Sequence, residues 1–231
     1  NNLRDFLLKD KSHIKKYKKA RKIHGEIIDC MMRYFESSKY KENIEKQYKE
    51  LIKQKNNNID QLDTFFDTRT QLGVQALANV VIYKNIENMN CITEEFLQTN
   101  RYKKKEKEEF LKSMLDSKAG LYEIIKTDFE EAQVYLKNVL NGEITKLTDI
   151  GMSGNKNNTG HYFYTRIISY NDINFGTGLS LIFDKKDKFI QKWIKDNKKE
   201  YNKKQEILRF LELYNKYRDD ENKIVAHMNR F

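Results

Sequence analysis

The chain is predicted to be an α+β protein: a helical N-terminal region, a small antiparallel β-barrel and C-terminal helices. Three observations carry that prediction. Before Ser117, lysine-rich stretches place apolar residues three and four apart, the period of an amphipathic helix. From there to about Phe183 the pattern becomes short β-rich runs. Glycines and an Asn141-Gly142 pair punctuate that second stretch as turns do. The expected divisions are residues 1–116, 117–184 and 185–231.

Leu3, Leu7, Ile14, Tyr17, His24, Ile28, Met31 and Phe35 define one amphipathic helix, or two broken near Gly25, with gaps in the stripe at Asp10 and Arg21. A second helix covers about Lys39 to Lys55 and stops at Asn56-Asn57-Asn58. The third runs from Asp60 to about Lys84 on the stripe Leu62, Phe65, Phe66, Leu72, Ala76, Val80 and Tyr83. Thr93, followed by Glu94 and Glu95, reads as a cap with acidic first-turn residues. It opens a short helix through Leu97, and another spans about Lys103 to Asp116.

Five strands follow, over Leu121–Lys126, Val134–Leu140, Glu143–Thr148, Tyr162–Ser169 and Leu179–Phe183. Asn141-Gly142 is read as a two-residue hairpin turn, because both positions tolerate positive φ. Gly151 to Gly160 is a polar loop, and Gly176 and Gly178 allow a bend. Five short antiparallel strands suit an SH3-like barrel. Phe189, Ile190, Trp193 and Ile194 share a face of one last helix, and Ile207, Leu208, Leu211 and Tyr214 continue in a second.

Composition narrows the function classes. An apolar fraction of 39% is low and a charged fraction of 34% is high, yet 14 Tyr and 13 Phe supply enough burial for a folded core. The net charge of +10 favours an acidic partner such as nucleic acid, an anionic membrane surface or an acidic protein. Lysine and asparagine enrichment from AT-rich coding produces the same excess. No apolar run approaches the roughly 18 residues that span a bilayer, and no signal peptide is visible, so the expectation is a cytoplasmic protein. Cys30 and Cys91 lack CxxC spacing and read as free thiols in a reducing compartment. The chain begins at Asn1 rather than Met, as a fragment of a longer protein would.

The densest basic run, Lys9 to Lys22, carries Lys11, Lys15, Lys16, Lys18, Lys19, Arg21 and Lys22 around Tyr17. It suits a phosphate backbone, and it equally suits the solvated side of an amphipathic helix. On the barrel, Tyr135, Tyr162, Phe163, Tyr164 and Tyr170 accompany Lys137, Lys146 and Arg166, a pairing on which bases stack while cations hold phosphates. The nucleic-acid-binding candidates are therefore Lys11, Lys15, Lys16, Lys18, Lys19, Lys22, Lys137 and Arg166.

Catalytic patterns are thin. Asp60, Asp63 and Asp67 share one helix side, which would suit Mg²⁺ in a nuclease, but no second acidic cluster joins them. His13, His24, His161 and His227 form no HxxxH or HExxH pair. Gly151-Met152-Ser153-Gly154-Asn155 is not a G-x-S-x-G elbow. No catalytic residue, metal ligand or cofactor is assigned.

A family resemblance rests on Ser117-Lys118-Ala119-Gly120-Leu121-Tyr122-Glu123-Ile124, then Val134 through Glu143, then Thr148-Asp149-Ile150-Gly151-Met152-Ser153. Arg166-Ile167-Ile168 and Phe175-Gly176-Thr177-Gly178-Leu179 extend it, with Phe65-Phe66-Asp67 and Phe96-Leu97 as a helical lead-in. Phe110 through Phe183 thereby resembles a group of uncharacterised bacterial proteins associated with the SEC-C motif, over roughly half the chain. The resemblance implies the architecture and a binding role, and transfers no active-site residue. The zinc-binding, Cys-rich tail that names the motif is absent, since both cysteines lie upstream of the sheet.

The expectation is thus a non-enzymatic protein that engages nucleic acid or a nucleoprotein assembly. The alternatives are a protein-interaction module, such as a regulatory or defence-system accessory, and a metal-dependent nuclease. Oligomeric state is left open.

Overall fold

The computed structural model describes residues 2–37, 40–53, 62–85, 89–99, 101–102, 104–155, 159, 161–199 and 205–220. The protein is α+β, as its periodicities predict. The chain divides into two compact units, one made of Asn1–Ala20 with Ser117 onward, the other of Arg21–Asp116. The Asp116/Ser117 division coincides with the change of period, whereas the first twenty residues belong with the sheet.

The long N-terminal helix is broken, though not at Gly25. Helix α1 (Asn2–Lys9) ends before Asp10-Lys11, and α2 (Ser12–Ser37) runs uninterrupted through Gly25. A cluster of Leu8, Ile14 and Ala132, with Ile150 against it, fixes the break. Leu7, expected in the apolar stripe, is exposed, and its neighbour Leu8 is buried instead.

The Arg21–Asp116 unit contains the rest of α2, then α3 (Tyr40–Lys53), α4 (Leu62–Phe66), α5 (Gln71–Val81), α6 (Ile92–Gln98) and α7 (Lys105–Leu115). The helix expected over 60–84 is interrupted. Asp67 adopts a positive φ of 49°, and the Thr70 hydroxyl caps α5 by accepting the Gly73 N–H at 3.0 Å. Gly73 is obligatory there, because a Cβ would lie 2.0 Å from the Phe66 carbonyl oxygen. His24 is buried, with Nε2 2.8 Å from the Tyr83 hydroxyl. Burial, and secondarily the Arg21 charge, lowers its pKa to about 3, so the ring is neutral.

The other unit is built on six antiparallel strands: β1 (Lys118–Asp128), β2 (Gln133–Asn138), β3 (Ile144–Thr148), β4 (His161–Tyr170), β5 (Ile173–Gly176) and β6 (Leu181–Asp184). Their order is β3-β2-β1-β4-β5, with β6 also paired to β4. The sheet curls until β3 and β5 approach, where the Asn174 amide donates to the Lys146 carbonyl at 3.0 Å. Strand β5 replaces the expected bend at Gly176. A short helix, α8 (Ile150–Ser153), follows β3, capped by the Asp149 carboxylate on the Met152 N–H.

The tight hairpin lies elsewhere than expected. Asn171 and Asp172 both have positive φ, 49° and 62°, and close β4 on β5 with the two-residue geometry assigned to Asn141-Gly142. At Asn141-Gly142 only the glycine is left-handed. The connection there is longer, because the Asn138 side chain accepts the Leu140 N–H at 2.9 Å and ends β2 early.

Inside the curl, Tyr122, Ile124, Val134, Leu136, Leu147 and Ile167 pack together. Part of the outside is covered by α9 (Lys188–Lys199) and α10 (Glu206–Asp219), tied by Trp193 Nε1 donating to Glu212 at 3.1 Å. Tyr164 stacks on Phe210 and Phe183 meets Tyr217 edge-on. No described helix is long and apolar enough to cross a membrane.

Candidate nucleic-acid interface

Residues directly opposite in an antiparallel ladder share a face, so the register reads out the outer surface of the curl. Tyr162, Glu123 and Lys137 form one cross-strand row on β4, β1 and β2. Lys126, Tyr135 and Lys146 form the next on β1, β2 and β3. Strict alternation would send Lys126 inward. A register shift between Ile124 and Lys126 inserts one extra residue, Ile125, and turns Lys126 onto the outer face. Its Nζ then lies 5.5 Å from the Tyr135 ring centroid.

Among the described residues, α10 meets this face at Ala119 of β1, Tyr164 and Arg166 of β4 and Phe183 of β6. Over the part of β2 and β3 that carries Tyr135, Lys137, Ile144 and Lys146 it is open, whereas Gln133 and Thr148 farther along the same face are buried. Lys126, Lys137 and Lys146 are exposed there around a half-buried Tyr135, beside an exposed Ile144. Among the described residues neither Lys137 nor Lys146 is ion-paired. Three cations around one accessible ring can neutralise phosphates and support a base.

Arg166 shares that outer face through its pairing with Ala119, yet it is 2% exposed. The fold places it under α10, where its guanidinium binds the Glu206 carboxylate and donates to the Ser117 hydroxyl at 3.1 Å. Glu206 also accepts the Ala119 N–H at 3.3 Å. Arg166 is thus a pin between sheet and helix rather than a solvent-facing cation. The neighbouring cleft, lined by Gly120, Asn138, Tyr164, Trp193, Glu206 and Arg209, has room for about one water.

Residues 11–227 match a family of unknown function, DUF7986. The chain belongs to that family. No curated protein and no solved structure matches it.

The remaining sequence candidates of this DUF7986 chain are Lys11, in the break before α2, and five lysines scattered along α2. Lys11 is tied to the Glu131 carboxylate and donates to the Glu130 carbonyl at 2.8 Å, so it holds the β1–β2 connection. Lys15 lies 3.6 Å from Asp10, and Lys16 3.3 Å from Asp172, both in solvent-exposed pairs. Lys18, Lys19 and Lys22 are exposed, with Lys22 in the Arg21–Asp116 unit. Of the barrel aromatics, Phe163, Tyr164 and Tyr170 are core, while Tyr135 and Tyr162 are half-buried. Lys185 covers the Tyr162 ring and pairs with Glu123 at 2.6 Å.

Asp60, the Asp63 side chain and His227 lie outside the described residues. Asp67 binds Arg69 at 2.7 Å. Ser153 is buried, accepting from Arg4 at 2.7 Å and donating to the Ile150 carbonyl. Among the described residues no three of His, Cys, Asp and Glu converge as metal ligands. Cys91 is buried, which pushes its thiol up to about 11, and Cys30 is partly exposed. Sequence reasoning missed Lys126 because its position depends on the bulge. The only trace in the chain is the adjacent pair Ile124-Ile125, which breaks the alternation.

Proposed function

We propose that the chain is a non-enzymatic, cytoplasmic nucleic-acid-binding protein that engages its ligand through the open β2–β3 side of the curled sheet. Lysines of α2 in the same unit add a sequence-independent contribution. The observation carrying this reading is the Lys126–Tyr135–Lys146 row with Lys137 beside it, on the part of the outer face where these lysines are exposed and α9 and α10 do not reach them among the described residues. The SEC-C-like pattern through the same strands supports a binding rather than a catalytic role.

The test is fluorescence anisotropy with generic RNA and DNA oligonucleotides at low and raised salt. Binding is expected to weaken as salt rises, each phosphate contact contributing about 0.7–0.9 to the log–log slope. Absent or salt-insensitive binding overturns the reading. A stoichiometric protein partner that survives nuclease treatment, with no oligonucleotide binding, replaces it with an interaction module.

A further inference from the structure

Helix α1 exposes three large apolar side chains on one side. Leu3, Phe6 and Leu7 stand at i, i+3 and i+4 and are 73%, 70% and 56% exposed. The opposite side of the helix is anchored. Leu8 is buried against Ile14 and Ala132, and the Arg4 guanidinium stacks 3.8 Å from the Phe129 ring centroid while donating to the Phe129 carbonyl and the Ser153 hydroxyl. The helix is therefore held on the domain by one face while it offers the other to its surroundings.

Area and charge select the occupant. Three such side chains expose a few hundred Å², well short of the roughly 800 Å² per partner of a stable protein interface. A second copy is thus a poor fit. Cations crowd the same segment: residues 1–20 contain Arg4, Lys9, Lys11, Lys15, Lys16, Lys18 and Lys19 against only Asp5 and Asp10. Lys9, Lys15 and Lys18 are exposed, and Lys15 reaches the end of α1 through Asp10. Phosphate backbones need the cations and leave the apolar triad unexplained. An anionic lipid surface uses both, since a short apolar face enters the headgroup boundary while neighbouring lysines meet the lipid charge.

We propose that α1 is an interfacial anchor that docks the chain on an anionic lipid surface by inserting Leu3, Phe6 and Leu7. The site is separate from the β2–β3 face and does not depend on nucleic-acid binding there.

The experiment is co-sedimentation of the full chain with vesicles of phosphatidylcholine alone or mixed with phosphatidylserine. Binding is expected to the mixed vesicles only, and to fall at least tenfold in the triple variant Leu3→Ser, Phe6→Ser, Leu7→Ser. All three side chains are exposed, so the variant keeps its fold, which circular dichroism checks. Phe6→Trp supplies a second readout, an emission blue-shift on adding mixed vesicles. Oligonucleotide binding of the triple serine variant is expected to be unchanged, which separates this inference from the proposed function. Failure to bind mixed vesicles, equal binding by wild type and triple variant, or a dimer in light scattering that the triple variant abolishes would each overturn it.

Discussion

Arg166 and Lys137 are two cations on the same outer face of the same sheet, two strands apart, and the fold gives them opposite work. Arg166 lies under α10 and is satisfied by Glu206 and Ser117, whereas Lys137 stands exposed on the part that α9 and α10 do not reach among the described residues. Both belong to a cationic residue type beside aromatic strands, and nothing in the strand pattern separates them. The covering layer does. A basic side chain on a sheet becomes a ligand contact or an internal pin according to what packs above it.

The sharpest way to break the comparison is to remove one partner of each. Glu206→Ala leaves the Arg166 guanidinium buried without its carboxylate. The expected loss is about 3 kcal/mol, at the low end for a buried pair because Glu206 is partly exposed. Urea denaturation measures it. Replacing both partners, Arg166→Met with Glu206→Leu, should recover most of that loss, since the desolvated charges leave together. If Glu206→Ala is no more destabilising than a surface substitution, Arg166 is not a pin.

Burial of a base has a second outcome in the Arg21–Asp116 unit. Arg166 meets burial with a carboxylate partner, whereas His24 meets it by staying neutral beside Tyr83. The folded pKa, about 3, lies below the ordinary imidazole value of 6.5, so the unfolded chain binds the proton more readily. That contribution is fully present above pH 6.5 and is lost progressively as pH falls toward 3. The slope approaches 1.4 kcal/mol per pH unit inside that window. His24→Gln is expected to flatten the stability profile between pH 6.5 and 4. An unchanged slope would assign the acid sensitivity to other groups.

On the open side, stability and binding should part. Lys126→Ala, Lys137→Ala and Lys146→Ala are each expected to change stability by less than about 0.5 kcal/mol, as exposed substitutions do. Each is expected to lower the magnitude of the salt slope for oligonucleotide binding by about 0.7–0.9, without altering sequence preference. Tyr135→Ala should weaken single strands more than duplex, because only unpaired bases can stack on the ring. Equal losses on both forms would leave Tyr135 as a spacer between lysines.

The change of period near Ser117 was legible because burial itself writes it. Tyr122, Ile124, Val134 and Leu136 alternate, whereas Ile23, Ile27, Met31 and Phe35 recur at helical spacing. The features that define the candidate face were not. The bulge at Ile125 depends on how β1 registers against β2. The burial of Arg166 depends on Glu206, forty residues away, and on the path of α10. Apolar spacing likewise counted Leu7 among the core residues, although the Leu8 contact with Ile14 and Ala132 rotates it outward. Period records which residues have a buried side, and long-range register decides which side that is.

Two hairpin turns give the smallest and most local test of the same point. Asn171 and Asp172 carry the strained left-handed geometry, while at Asn141-Gly142 only the glycine does. Asp172→Gly should therefore stabilise the protein by about 0.5–1 kcal/mol, since glycine enters that region without a Cβ penalty. The Lys16 contact it removes is solvent-exposed and should cost little. Asn141→Gly should give no such gain, because Asn141 is not left-handed and its Oδ1 accepts the Glu143 N–H at 2.9 Å. Urea midpoints of the two variants decide it. A larger gain at Asn141 than at Asp172 would mean that β2–β3, not β4–β5, is closed by the two-residue turn, and the register that aligns Tyr135 with Lys146 would have to shift with it.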